Sequence, residues 1–189
     1  AGMPVLLLSA GQAGATAPAA IAGAVAQALS EVIAGLIYVN AMKPGHPCIV
    51  GTWPFVSDLR TGAMSGGSGE QGLLTAACAQ MLQYYRLPGG AASGMADAKM
   101  PDAPSGYEKG STLVMAGLSG LNMVYEAAGM HASLLGFCLE SLIIDNDMLG
   151  QCLRCVRGIE VNDDTIGIQV MKDVCMGGPG HYLGHEQTI

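Results

Sequence analysis

The sequence predicts an α/β fold built around a parallel sheet, and three observations carry that prediction. Strand-like apolar runs alternate with helix-length segments in four successive cycles. No hairpin signal joins one run to the next, so the connections are expected to be right-handed crossovers. Glycine is abundant, at 28 of 189 residues, while aromatics make up only 5%. That mixture suits tight turns and closely packed helices better than an all-β design.

The first cycle opens with Pro4-Val-Leu-Leu-Leu-Ser9, a continuous apolar run of the kind covered on both faces. The loop Gly11–Pro18 follows, with Thr16 as the expected helix cap and Pro18 in the first turn of a helix reaching about Asn40. The second strand is expected at His46–Gly51, followed by a glycine-rich loop and a helix over Glu70–Tyr85. The third begins at Pro88–Ala92, weak by propensity, and its helix is expected over Tyr107–Leu118. The fourth strand is Leu121–Tyr125. A loop containing His131 leads to helical sequence expected to break near Asp145 and to resume over Asp147–Arg157. A short helix over Asp163–Cys175 precedes a Gly-Gly-Pro-Gly turn.

Two architectures accommodate these units, an open doubly wound sheet and an eight-fold barrel. Loops after the strands are long and rich in functional residue types, and loops before them are short. That asymmetry favours a TIM (β/α)8 barrel with its site on the C-terminal face. Four units do not close a barrel, and the chain opens on Ala1 close to a strand. Residues 1–189 are therefore expected to be roughly the C-terminal half of one barrel domain. Open strand edges would then favour self-association into a homo-oligomer.

The net charge of −7 offers no basic stripe for phosphates, which argues against nucleic acid. The six cysteines lie mostly in apolar stretches and are expected to be unpaired packing residues in a reducing cytoplasm. No signal peptide is visible. Ala17–Ile37 approaches the length a bilayer needs, but Gln27, Ser30 and Glu31 favour a buried barrel helix over a membrane span.

Four segments resemble a known family. They are Gly51–Gln71 (Gly-Thr-Trp-Pro-Phe-Val-Ser-Asp-Leu-Arg-Thr-Gly-Ala-Met-Ser-Gly-Gly-Ser-Gly-Glu-Gln), Gly94–Asp102, Gly106-Tyr-Glu-Lys109 and Gly177–Thr188. Together they resemble the trimethylamine methyltransferase family of corrinoid-dependent enzymes, in order and across nearly the whole chain. The resemblance implies a TIM barrel that passes a methyl group from a methylated amine to cobalt on a separate corrinoid protein. Some members carry pyrrolysine, whose equivalent segment here is expected near Ala91–Met95. Every position in this chain is a standard residue. It therefore looks like a member without pyrrolysine, whose relatives act on quaternary amines such as glycine betaine.

The implied chemistry is an in-line displacement at carbon, so the protein must hold a cation, aim its methyl group and exclude water. Aromatic faces and a carboxylate do this. Tyr125 and Glu126, at the end of the fourth strand, and His131 beyond them are the expected catalytic group. Trp53, the lone tryptophan, and Phe55 follow the second strand and are candidate substrate contacts, or else a loop packed on the rim. Asp97 and Lys99, after the third strand, are a second substrate-binding pair or a loop-locking salt bridge. The Ser65-Gly-Gly-Ser-Gly69 loop offers backbone N–H groups to an anion. Ser65, Gly66, Gly67 and Gly69 are accordingly the candidate contacts to the corrinoid, or to a substrate carboxylate, with Glu70 as the expected helix cap.

Two metal patterns compete. Cys152-Leu-Arg-Cys155 has the spacing of half a zinc site without a second pair. Cys175, His181 and His185 would be the ligands of a metal-dependent hydrolase on the same barrel, although His181-Tyr-Leu-Gly-His185 lacks the glutamate of a zincin helix. No metal is expected under the leading reading. A truncated barrel that only binds a corrinoid protein is the third reading.

Overall fold

The computed structural model describes residues 2–189. In chain order it contains β1 (Val5–Ser9), β2 (Gln12–Ala13), α1 (Ile21–Met42), β3 (Cys48–Thr52), β4 (Phe55–Ser57), β5 (Met64–Ser65) and α2 (Gly69–Tyr84). There follow β6 (Gly89–Ala92), α3 (Ala103–Leu118), β7 (Met123–Tyr125), β8 (Met130–His131), β9 (Gly136–Phe137) and α4 (Leu139–Arg157). The last elements are α5 (Asp163–Ile166) and α6 (Ile168–Cys175).

The main sheet is wholly parallel, in the order β1-β3-β6-β7. Neighbours in the sheet are successive long strands of the chain, and the order never reverses. Register aligns Leu7, Val50 and Gly89 in one row. Leu7 meets α1 at Gly35, and Gly89 meets α2 at Leu82. Both helices therefore cover the same sheet face, and α2 packs in turn on α3. A doubly wound sheet would reverse its order and carry helices on both faces. This one is singly wound.

The core lies between the sheet and its helices. Ala24, Val25, Ala28, Leu29 and Val32 give α1 its inward stripe, meeting Val50, Leu74, Cys78 and Leu82. Each fully buried Leu or Val contributes roughly 1.5–3 kcal/mol. The helix is long and apolar enough to cross a membrane by length and composition. In this fold it packs against β1, β3 and α2. On the opposite sheet face Leu6 and Leu8 lie beside Gly51 and stay 44% and 46% exposed, as does Met123 at 43%.

The sequence-based boundaries need several corrections. The first helix starts at Ile21, not Pro18, and its cap is Ala20. Thr16 instead closes the preceding loop, its Oγ1 accepting the Gln12 N–H at 2.8 Å. Helix α3 begins four residues before Tyr107, because Asp102 caps it by accepting the Ser105 N–H at 3.1 Å. Helix α4 runs unbroken through Asp145, whose carboxylate is buried against Lys109 rather than competing for its own backbone. The Asp163–Cys175 stretch is split at Gly167, which sits at φ 66°. Hairpin-like pairings do occur: β4 with β5, and β8 with β9, are antiparallel, each inside a loop. The α2 cap is Ser68 rather than Glu70, and it accepts the Gln71 N–H at 3.3 Å.

The chain divides into two compact units, Ala1–Val156 and Arg157–Ile189. The second holds α5, closed by a reciprocal Asn162–Thr165 capping box, and α6. All six cysteines are unpaired. Only Cys78 and Cys152 are buried, whereas Cys155 and Cys175 are exposed, so the packing role expected of all six holds for a minority.

Candidate functional site

Parallel register brings the four strand ends to one rim. Ser9 pairs with Thr52 and Ala92 with Tyr125. Two backbone bonds extend the ladder past these ends, from Trp53 N to Ser9 O at 2.6 Å and from Ser93 N to Tyr125 O at 3.2 Å. The side chains that follow each strand therefore gather at the C-terminal edge.

Aromatic side chains converge there. The Trp53 and Tyr125 rings are 5.4 Å apart at 59°, and Trp53 meets Phe55 edge-on at 6.2 Å. Phe55 is buried with Ala92 and Met95, against Met64, Met130 and Leu134. Tyr125 reaches across the sheet to Gly90, where any Cβ would collide with its hydroxyl. Gly90→Ala is thus expected to turn the Tyr125 ring away from its place, raising Trp53 fluorescence accessibility to acrylamide with little loss of secondary structure by circular dichroism.

The next residue, Glu126, is a non-glycine residue at φ 61°, a left-handed conformation that costs on the order of 1–3 kcal/mol. Its Oε2, the Tyr125 hydroxyl, the Trp53 indole Nε1 and the Ser93 Oγ are buried without a hydrogen-bond partner. Orphaned polar atoms of this kind are rare in folded proteins, and these four belong to residues at or just past the strand ends. Burial pushes both the Glu126 carboxyl and the Tyr125 phenol above their ordinary pKa values.

A second cluster forms around Asp97. Its carboxylate accepts hydrogen bonds from Ser65 Oγ at 2.5 Å, Gly66 N at 2.7 Å, Gly67 N at 3.3 Å and the Ser133 hydroxyl. The glycine-rich loop does present its N–H groups to an anion, but that anion is the chain's own Asp97. Three residues of the corrinoid-contact set, Ser65, Gly66 and Gly67, are committed internally, and only Gly69 opens to free space. No ion pair joins Asp97 to Lys99 among the described residues, so the loop lock expected of that pair is replaced by the Asp97 knot. Both line a broad cleft of about 1060 Å³ with Arg60, Met64 and Ser133.

His131 has a third environment. Its ring is 2% exposed, with Nε2 at 2.5 Å from Ser141 Oγ and 3.4 Å from Lys109 Nζ. Its Nδ1 lies 3.3 Å from the Ala98 carbonyl, which assigns the N–H to that nitrogen. Lys109, fully buried, donates to Asp145 Oδ2 at 2.6 Å, and the same oxygen accepts the Gly129 N–H at 2.7 Å. The structure therefore brings Trp53, Phe55 and Tyr125 together, with Glu126 beside them in the chain. It directs His131 into a buried network between α3 and α4.

Comparison with known proteins gives the family. Residues 1–189 match the family described as trimethylamine methyltransferase (MTTB). The chain belongs to the trimethylamine methyltransferase family. A glycine betaine methyltransferase of Desulfitobacterium hafniense (strain Y51) is 35% identical over 188 residues, covering 100% of this chain and 39% of that protein. The trimethylamine methyltransferase MttB of Methanosarcina thermophila is 34% identical over 187 residues, 99% of this chain and 38% of that protein. The corresponding protein of Methanosarcina barkeri (strain Fusaro) is 34% identical, with 37% of its length covered. The chain thus spans under two-fifths of these relatives.

Of the segments that resemble the methyltransferase family, one reaches the rim and two supply residues around it, whereas Ser93, Tyr125 and Glu126 lie outside them. Gly51–Gln71 supplies Trp53, Phe55 and the glycine loop, Gly94–Asp102 supplies Asp97, and Gly106–Lys109 supplies the buried lysine. The rival ligand set does not assemble. Cys175 Sγ lies 3.5 Å from Tyr182 Oη, His185 Nε2 lies 4.0 Å from Asp173 Oδ2, and no group of three potential metal ligands occurs among the described residues. Glu108, Lys109, Ser141 and Asp145 were not anticipated as site-supporting residues. One signal was available: Lys109 falls in the inward stripe of α3 with Ser105, Thr112, Leu113 and Ala116. A lysine on a buried stripe demands a partner.

Proposed function

We propose that this chain supplies the methyl-donor side of an amine:corrinoid methyltransferase, built on about half of a (β/α)8 barrel. The supporting observation is the rim where Trp53 and Tyr125 meet beside Glu126, with four polar atoms unpartnered. The singly wound sheet with open edges at β1 and β7 supports the barrel reading. Family membership supports the methyl-transfer reading.

The donor in this reading is a methylated amine, a quaternary one such as glycine betaine ahead of trimethylamine. The aromatic faces of Trp53 and Tyr125 each hold its cationic head by about 0.5–2 kcal/mol. Glu126 supplies the opposite charge in a partly dehydrated setting, where the attraction exceeds its value in water. A corrinoid protein would be the partner, supplying reduced cobalt as the methyl acceptor, and the electron pair of the broken C–N bond would stay on nitrogen. The departing amine is then neutral if the donor was quaternary, and its hold on Glu126 and the rings weakens. Trp53 and Phe55 shield the donor from water, and the Asp97 knot keeps three loops fixed around it. Lys99 and Arg60 line the adjoining cleft, where a donor's carboxylate or the partner's surface would lie. The cytoplasm is the compartment this reading expects.

The test is to mix the chain with cob(I)alamin under reducing conditions and a panel of quaternary and tertiary methylamines. Methyl-cobalt absorbance above the protein-free rate, with at least one amine, is the expected result. Amine binding without any methyl transfer would leave only the binding role, and neither would end the proposal.

A further inference from the structure

Two adjacent residues of α3 hold two different loops. Glu108 Oε2 accepts the N–H groups of Asp97 at 2.8 Å and Ala98 at 3.1 Å, anchoring the loop after β6. Lys109 reaches the loop after β7 through Asp145, which binds Gly129 N, and through His131. The anchored stretch is strained. Glu126, Ala132, Ser133 and Leu134 all have positive φ, at 61°, 50°, 50° and 76°, and none is glycine. Left-handed residues at that density persist only where the surroundings over-determine them. Backbone bonds from Ala132 N to Ala98 O and from Ser133 N to Ala96 O, each 3.0 Å, tie the two loops together.

We infer that Glu108 and Lys109 are positioning residues, a two-pronged clamp that fixes the Glu126–Leu134 segment and so sets Glu126 at the rim. Neither touches the rim itself. A buried ion pair is an uneconomical source of stability, since apolar side chains of similar size often replace one without loss. The pair between α3 and α4 has a specific use here: Asp145, oriented by Lys109, offers the acceptor that Gly129 N requires inside the protein. The inference rests on the cation-site reading only in its second readout.

Two double variants of the whole chain separate anchoring from mere stability. Lys109→Met with Asp145→Asn keeps a carbonyl acceptor for Gly129 N, and Lys109→Met with Asp145→Leu removes it; the two carry the same charge. Native-state hydrogen exchange over residues 126–134 is expected to be about tenfold faster in the Leu variant than in the Asn variant, a local opening effect. Affinity for tetramethylammonium, read from Trp53 fluorescence, is expected to fall about tenfold between the same two, equivalent to about 1.4 kcal/mol. Exchange over residues 126–134 as slow in both double variants as in the unmodified chain would overturn the inference, whatever the ligand does. Faster exchange with no tetramethylammonium response even in the unmodified chain would uphold the clamp and sink the cation-site reading instead. If the Leu variant does not fold, Glu108→Ala takes its place, since it removes the acceptor of the Asp97 and Ala98 N–H groups and leaves the ion pair intact. Unchanged exchange over residues 131–134 in that variant would equally overturn the clamp.

Discussion

Lys109→Met alone is expected to cost about 3–5 kcal/mol, because it leaves the Asp145 carboxylate buried without its counter-charge. The pair is enclosed, with side-chain exposures of 0% for Lys109 and 5% for Asp145. The Gly129 N–H still reaches Asp145, but one backbone donor does not balance a buried negative charge. Methionine fills much of the lysine volume, so lost packing is a small part of the effect. Urea unfolding followed by circular dichroism would read the change as a large drop in midpoint. Removing both charges while keeping an acceptor for Gly129 N, as in Lys109→Met with Asp145→Asn, should recover most of it. A single variant as stable as the parent would show that the pair is hydrated in solution.

Glu126→Gln is expected to weaken tetramethylammonium binding by about tenfold or more, since opposite charges ~5 Å apart at an effective dielectric of ~20 attract by about 3 kcal/mol. The pH dependence has a definite sign. Burial holds the Glu126 carboxyl above its ordinary pKa, and the ionised form is the one that attracts a cation. Affinity should therefore fall on acidification through that raised pKa, while the Gln variant stays flat. Stability without ligand runs the opposite way. The folded state binds the proton more tightly than the unfolded chain, so this residue's contribution improves as pH falls from above the folded pKa towards the unfolded one. A parent affinity independent of pH across that window would remove Glu126 from the site.

The elements were legible where pattern and burial agree. The runs expected at Pro4–Ser9 and His46–Gly51 became the parallel neighbours β1 and β3, but only one face of the first is covered, since Leu6 and Leu8 stay 44% and 46% exposed. Boundaries failed where a side chain took an unexpected partner: Thr16 closed a loop instead of capping a helix, and Asp102 moved the start of α3 upstream. The antiparallel pairs of β4 with β5 and β8 with β9 were invisible because each comprises two or three residues stabilised by loop contacts rather than by alternation.

The rim was partly legible for the same reason. Trp53 follows one strand and Tyr125 ends another, and parallel register alone brings such residues to one edge. Which way a loop side chain turns is decided by contacts distant in the chain. Asp97 faces Ser65 and Gly66 across about thirty residues, and Asp145 faces Lys109 across 36. His131 looked like a rim residue by position, but the buried lysine and serine beside it draw its ring inward.

Trp53 is the lone tryptophan, so its emission reports on the rim without labelling. Titration of the chain with tetramethylammonium, against tert-butanol as a neutral molecule of similar shape, is the most direct measurement. The account predicts a saturable change with the cation, weakened in Tyr125→Ala and in Glu126→Gln, and none with the alcohol. An identical response to both molecules, or to neither, would contradict a cation site at these strand ends.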